Sequence, residues 1–339
     1  MPNVIPFQQA LEMSPDVKKR RVLLGNGFSR ACRNDIFCYE ALFDQANFQG
    51  LSPSAREAFN ALGTTDFETV IRALGQASQL AAVYVADRPE LIQTLREDAN
   101  GLREVLASAI ASTHPDRPSS IAATRYEACR TFLSNFEDIY TLNYDLLLYW
   151  ALMQEELEPQ VEFDDGFRNP DDGPAEYVTW DTDKAYTQSL HYVHGALHIF
   201  DAGAELRKYT WCNTGTALID QIRAALDENR FPLFVAEGSA QSKIERIEHS
   251  AYLCRARRSF GSIAGDLFVF GFSFGDSDEH LLRLLAKNRV GRAFISLHGD
   301  PNSDANCRIA HRAELIAAQR PRHALTLVYF DADSANVWG

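Results

Sequence analysis

Four short groups of residues in this 339-residue chain combine glycines with side chains suited to chemistry. Gly25-Asn26-Gly27-Phe28-Ser29-Arg30 follows an apolar run and opens a helical pattern. Glycines let the backbone approach a ligand, and the amides and positive end of a helix start face an anion. A strand, a glycine turn and a helix start therefore make a place for the phosphates of a nucleotide. Thr141-Leu142-Asn143-Tyr144-Asp145 offers an amide and a carboxylate. His194-Gly195 offers an imidazole that titrates near neutrality and can take up a proton. Gly271-Phe272-Ser273 is a second glycine turn, with Asp276 and Asp278 opening the helix behind it.

Each group closes a short apolar run that reads as a buried strand. The runs are RVLLG (residues 21–25), Ile139 to Leu142, His191 to His194, Pro232 to Ala236, Leu267 to Phe270, Ala293 to Leu297 and Leu325 to Phe330. A hairpin through ALHIF and KYTWC is a further expectation after His194. Helical patterns over Asp145 to Glu155, Thr216 to Glu228, Ser239 to Ser262, Asp276 to Lys287 and Asn302 to Gln319 separate most of the runs. Such alternation predicts an α/β fold with a Rossmann-like parallel sheet covered on both faces. Residues 36–135 break the rhythm, with helical stretches such as Phe67, Val70, Ile71 and Leu74, then Leu91 to Ile110, and prolines at 115 and 118. We read residues 1–35 and 136–339 as one Rossmann-like domain and residues 36–135 as an inserted helical module.

Taken singly, these residues have plainer roles. Asn143, Asp145, Asp276 and Asp278 suit helix caps, His194 suits a core position, and either glycine turn serves chain reversal without a ligand. The dehydrogenase fingerprint requires a third glycine where Arg30 stands and an acid at the end of a second strand. Asp44 lies at about the right distance, but YEALFDQANF around it reads as helix, so a hydride-transferring dehydrogenase fits poorly. His191, three positions before His194, points to the opposite face of a strand and makes a poor metal pair with it.

In order, GNGFS, TLNYD, HG and GFS resemble the sirtuin-type series GAGxS, TxNxD, HG and G(T/Y)S. The chain looks most like bacterial SIR2-like proteins, in a family that begins with GNGFS and carries a DFE motif in inserted helices, here Asp66-Phe67-Glu68. AbiH-like abortive-infection proteins are more distantly similar. The resemblance implies a site for NAD as substrate. Gly25, Asn26, Gly27, Phe28 and Ser29 would hold phosphates and ribose, Thr141, Asn143 and Asp145 the nicotinamide ribose, and Gly271, Phe272, Ser273 and Asp276 the adenosine side. Asn143 and His194 would be catalytic. It further implies an NAD glycohydrolase releasing nicotinamide and ADP-ribose, as an effector of antiphage defence working as a homo-oligomer or with a companion such as an ATPase. Deacylases of the superfamily carry a zinc module of paired cysteines, and here that interval holds only Cys212 and Cys254. The alternatives are an NAD or ADP-ribose sensor without turnover and, less well supported, a deacylase or ADP-ribosyltransferase.

Composition narrows the field further. A net charge of −13 argues against a broad nucleic-acid surface. Eleven carboxylates against one arginine between Glu155 and Asp183 read as a solvated loop or exposed hairpin, with a docking surface for a basic partner as the other reading. Lys18 to Arg21 reads as solvent-facing. The six cysteines form no C-x-x-C pair, so no metal is expected. The first residues lack a secretory pattern and no run is long enough for a membrane helix, which together predict a cytoplasmic protein.

Overall fold

The computed structural model describes residues 2–170, 176–210, 215–236, 238–320 and 323–339. Among them the strands in chain order are β1 (Val4–Ile5), β2 (Arg20–Leu24), β3 (Asp138–Thr141), β4 (Phe167–Arg168), β5 (Tyr177–Trp180), β6 (Leu190–Tyr192), β7 (Gly195–Asp201), β8 (Leu206–Tyr209), β9 (Pro232–Phe234), β10 (Ala264–Phe270), β11 (Arg289–Leu297) and β12 (Thr326–Asp331). Seven of them form an all-parallel sheet in the order β1-β12-β11-β10-β2-β3-β6. This is the predicted parallel sheet, with β1 as an unforeseen edge; two residues are too short a run to register as a strand.

The remaining five strands form an antiparallel sheet, β4-β5-β8-β7-β9, of which the sequence suggested only the hairpin after His194 and, as one reading, a hairpin in the acidic segment. Pro232 to Ala236 was expected in the parallel sheet, but as β9 it pairs antiparallel with β7. A buried apolar run looks alike in either sheet, and the direction of its partner is written elsewhere in the chain. The expected hairpin exists as β7 and β8; Trp211 and Cys212 at its predicted end lie outside the described residues. The predicted helix from Ser239 to Ser262 is two helices, Ala240–Glu248 and Ala251–Gly261, the second capped by the Ser250 side chain. The pattern from Asp145 to Glu155 yields only Leu147–Leu152 as helix.

Helices Tyr39–Gln45, Pro53–Leu62, Phe67–Tyr84, Pro89–Thr113 and Ala123–Leu133 occupy the interval between β2 and β3. Phe67, Val70, Ile71 and Leu74 are buried, as their spacing predicts, and join one apolar cluster with Leu24, Phe28 and Trp150. Phe132 packs on Phe7 and Phe270, so the last of these helices lies against the parallel sheet. No described helix is long and apolar enough to cross a membrane.

Two charged segments are only partly solvent-facing, and the acidic one holds the antiparallel pair β4 and β5, a hairpin as expected there. Arg20 is buried, with Nη2 donating to the Leu11 carbonyl at 3.0 Å, and Arg21 pairs with Asp138. Both sit at the start of β2, the end opposite the glycine turn. In the acidic segment, Asp165 pairs with buried Lys208, and Asp164 accepts from Arg168 and Thr187. The Arg168 hydrogen bond holds the Asp164 carboxyl well below the usual carboxylate range. Residues 171–175 of this segment lie outside the described residues.

In the parallel sheet the strand order reverses at β2: β3 and β6 lie on one side and β10, β11 and β12 on the other. A crevice opens at the carboxyl ends of strands at such a reversal. Its floor is a backbone contact between the two glycine turns. Gly27 N–H donates to Gly271 O at 2.9 Å, and a Cβ on Gly27 would stand 2.4 Å from Gly271 Cα. Gly27→Ala is therefore expected to lower stability by about 1–3 kcal/mol through overpacking, read as an earlier midpoint in denaturant unfolding. An unchanged midpoint would show that the turns can part freely.

Candidate active site

The crevice is a cavity of about 1030 Å³. Gly25, Asn26, Gly27, Asn143, Asp145, His194, Gly271, Phe272, Ser273 and Asp276 all line it, so the carboxyl-end motifs do converge. Three predicted contacts stand behind the wall. Phe28 is fully buried against Trp338, with ring centroids 5.2 Å apart. Ser29 is fully buried and donates its hydroxyl to Asp145 Oδ2 at 2.5 Å. Thr141 Oγ1 accepts from the Asn143 backbone N–H at 3.1 Å and is likewise buried. These positions brace the site, because a helix start must bury the face that packs on the sheet. The amides of Gly27 and Phe28 are already engaged by the carbonyls of Gly271 and Gly25. Arg30 and Arg72 line the cavity as well, and Arg30 stands where the dehydrogenase fingerprint has glycine.

Asp145 combines two roles. Its Oδ1 accepts from the Leu147 amide at 2.9 Å, the cap-like role open to it from sequence, while Oδ2 holds Ser29. Burial raises its pKa. Asn143 is 8% exposed, and its Nδ2 has no hydrogen-bond partner. A buried, unpaired amide donor costs about 1–3 kcal/mol unless a ligand satisfies it.

His194 stands where the chain leaves one sheet for the other, between β6 and β7. Gly195 follows at φ +77°, where a Cβ would meet Leu233 O of β9 at 1.9 Å. The glycine of this motif thus serves the crossing of β9, and the crossing fixes His194, whose carbonyl accepts from Val235 at 2.8 Å. The ring is 2% exposed, with Nε2 3.0 Å from Nε2 of His280 and 3.9 Å from Asp278 Oδ1. Burial first, then the nearby Lys243 and His280, push His194 well below the ordinary histidine range. His191, as expected, turns elsewhere: it stacks on Tyr140 and hydrogen-bonds Ser259.

The sequence reading missed the group behind this wall. Lys243 is completely buried, with Nζ 2.8 Å from Glu68 Oε2 and 2.9 Å from Asp278 Oδ1. Burial alone would lower its pKa, but the two carboxylates outweigh that and raise it. Asp66 caps its helix by accepting from the Glu68 amide at 3.0 Å, while Glu68 faces the cavity. Asp278 makes no side-chain cap bond to its own helix, Glu279–Leu285; it serves Lys243 instead. Within an amphipathic helix a lysine reads as surface, and nothing near Lys243 in sequence signals its partner 175 residues away. His194, Asp278 and His280 also place one possible metal-ligand atom each within 4.8 Å of one another. That grouping comes from separate elements, which is why weighing His191 alone overlooked it.

The match to known families extends over residues 22–338, and its description is a domain of unknown function, DUF4917. The chain belongs to the DUF4917 family. No curated protein matches the sequence. In this DUF4917 chain the matched span takes in the glycine turn, the helices between β2 and β3, and all the cavity motifs.

Lys243→Met would leave Glu68 and Asp278 facing one another without their cation. Losing one partner of a buried pair typically costs about 3–5 kcal/mol, and adding Glu68→Gln should recover part of it. Denaturant unfolding of the single and double variants measures both; a Lys243→Met protein as stable as the parent would show that the ammonium is not a structural tie.

Proposed function

We propose that the chain is a SIR2-like NAD glycohydrolase: NAD⁺ and water give nicotinamide, ADP-ribose and a proton. The observation that carries this reading is the unpartnered Nδ2 of Asn143, buried on the same wall as His194 at the carboxyl edge of the parallel sheet. An amide there can bind the ribose hydroxyls and orient water. Leaving nicotinamide makes the ribose oxocarbenium-like, and Glu68 and Asp278 put carboxylate oxygen on the cavity wall to stabilise that positive charge. The guanidinium groups of Arg30 and Arg72 suit the diphosphate. Phosphate recognition rests on them more than on the engaged amides of Gly27 and Phe28.

His194 is neutral at neutral pH, so it acts as a proton acceptor from a ribose hydroxyl or from water. Its depressed pKa means that the acceptor form persists as pH falls. In this reading the protein is a cytoplasmic effector of antiphage defence, kept slow until it assembles or meets a companion protein. The module carrying Glu68 packs against the cavity and is the element such contacts would shift.

His194→Ala should cut nicotinamide release by ~10²-fold or more, and Asn143→Ala should abolish it, both with the fold intact by circular dichroism. The acid limb of kcat/KM for the parent should fall below the ordinary histidine value of about 6.5. Nicotinamide release across pH tests all three. Undiminished turnover in either variant sinks the assignment, and tight NAD binding with no release in the parent would favour the sensor reading.

A further inference from the structure

His280 does not line the cavity, yet its Nε2 lies at hydrogen-bond distance from Nε2 of His194. The ring centroids are 5.1 Å apart and the Nε2 atoms 3.0 Å apart, with the planes 26° from parallel. Each nitrogen therefore lies close to the line joining the two rings. That is the alignment of an N–H···N hydrogen bond, at a normal donor–acceptor distance. Lone pairs converging on a metal would tilt the rings towards a third point and draw the centroids closer for the same nitrogen separation. The carboxylate of the trio is also already engaged by an ammonium, since Asp278 Oδ1 bonds Lys243.

We propose that His280 is the positioning residue of His194: it accepts the His194 Nε2 proton and so leaves Nδ1 of His194 as the lone pair that faces substrate. The proposal deepens the NAD-cleavage reading and rests on it for its catalytic consequence. A histidine bonded through one nitrogen has the tautomer of the other fixed, the logic by which an orienting group serves a general base. His280 is 1% exposed, so this bond has no water competing for it. The Asp278 carboxylate lies 3.9 Å from His194 Nε2 and favours the proton on that nitrogen, which leaves His280 Nε2 as the acceptor. The charged groups around the pair are Lys243 and Asp278, with Arg257 beyond them. Burial first, and Lys243 after it, keep both imidazoles uncharged, so a single proton lies between the two Nε2 atoms. During cleavage, the proton from the attacking water or ribose hydroxyl moves to His194 Nδ1, and Nε2 keeps its own.

The test uses the full chain with ¹⁵N-labelled histidine, with His194 assigned by the signal lost in His194→Ala. At neutral pH the parent should show His194 as the Nε2–H tautomer, and His280→Phe should lose that preference. In nicotinamide release, His280→Phe should lower kcat by ~10²-fold with the Kd for NAD within about twofold, and His280→Gln, which can still accept the proton, should restore most of the loss. Three results overturn the proposal: His194 protonated at Nδ1 in the parent, an unchanged tautomer or kcat in His280→Phe, or stoichiometric Co²⁺ giving visible d–d absorption that His280→Phe abolishes. If His280→Phe does not fold, the parent tautomer and the His280→Gln rate decide. A parent that releases no nicotinamide removes the NAD reading alone, because the tautomer measurement still settles the pair.

Discussion

Gly25 N–H donates to Phe270 O and Gly27 N–H to Gly271 O, both at 2.9 Å, so the ends of β2 and β10 meet backbone to backbone. No side chain fits between them, and the rest of the cavity is built outward from this contact. It sets the direction of the helix Gly27–Phe37, which puts Phe28 under Trp338 and brings Ser29 to Asp145. Asp145 Oδ1 then accepts from the first amide of the helix after β3, and the Leu146 amide donates to His114 Nε2 at 3.1 Å. Burial lowers the pKa of His114 to about 4, so it stays neutral and accepts that bond. One close approach of glycines is thus relayed into the helices between β2 and β3 through fully buried polar contacts, each of which must be satisfied because water cannot reach it.

A second set of contacts closes the far wall. Lys243 is the common partner of Glu68, from the helices between β2 and β3, and of Asp278, from the turn after β10. A buried ammonium of this kind has limited worth as a source of stability but fixes where its partners stand. Its charge also reaches the imidazoles: His194 and His280 are both depressed by burial and then by Lys243. The wall thus offers carboxylate oxygen and neutral imidazole together, although a lysine lies directly behind them. The same residue that anchors the helices adds to burial in keeping the histidine that faces the cavity uncharged.

The architecture was legible wherever local pattern decides it. Strands β2, β3, β6, β10, β11 and β12 each close an apolar run with a polar or glycine turn, and those turns converge on one edge because parallel strands share a direction. The antiparallel sheet was legible only as hairpins, β7 with β8 and β4 with β5, since β9 has the composition of any buried strand. The break at Ser250 was open to inspection as a serine cap within a long helical pattern. Lys243 and His280 were beyond reach: both sit on amphipathic helices in positions that look solvent-facing until Glu68 and His194 arrive from distant segments. Ser29 and Phe28 were read as ligand contacts because a motif does not say which of its side chains face inward.

The two sheets end in short strands. The borders of the parallel sheet are β1 with two residues and β6 with three, and those of the antiparallel sheet are β4 with two and β9 with three. An unpaired strand edge is a template on which another polypeptide can add itself, and its hold grows with the number of free amides and carbonyls in register. None of these four borders offers more than a few. β6 is further removed from reach because its chain turns at once into β7. The protein can therefore be crowded against copies of itself, or held in an assembly, without its sheets fusing into a continuous ribbon. Among the described residues, the sheet borders thus offer little for another strand to pair with.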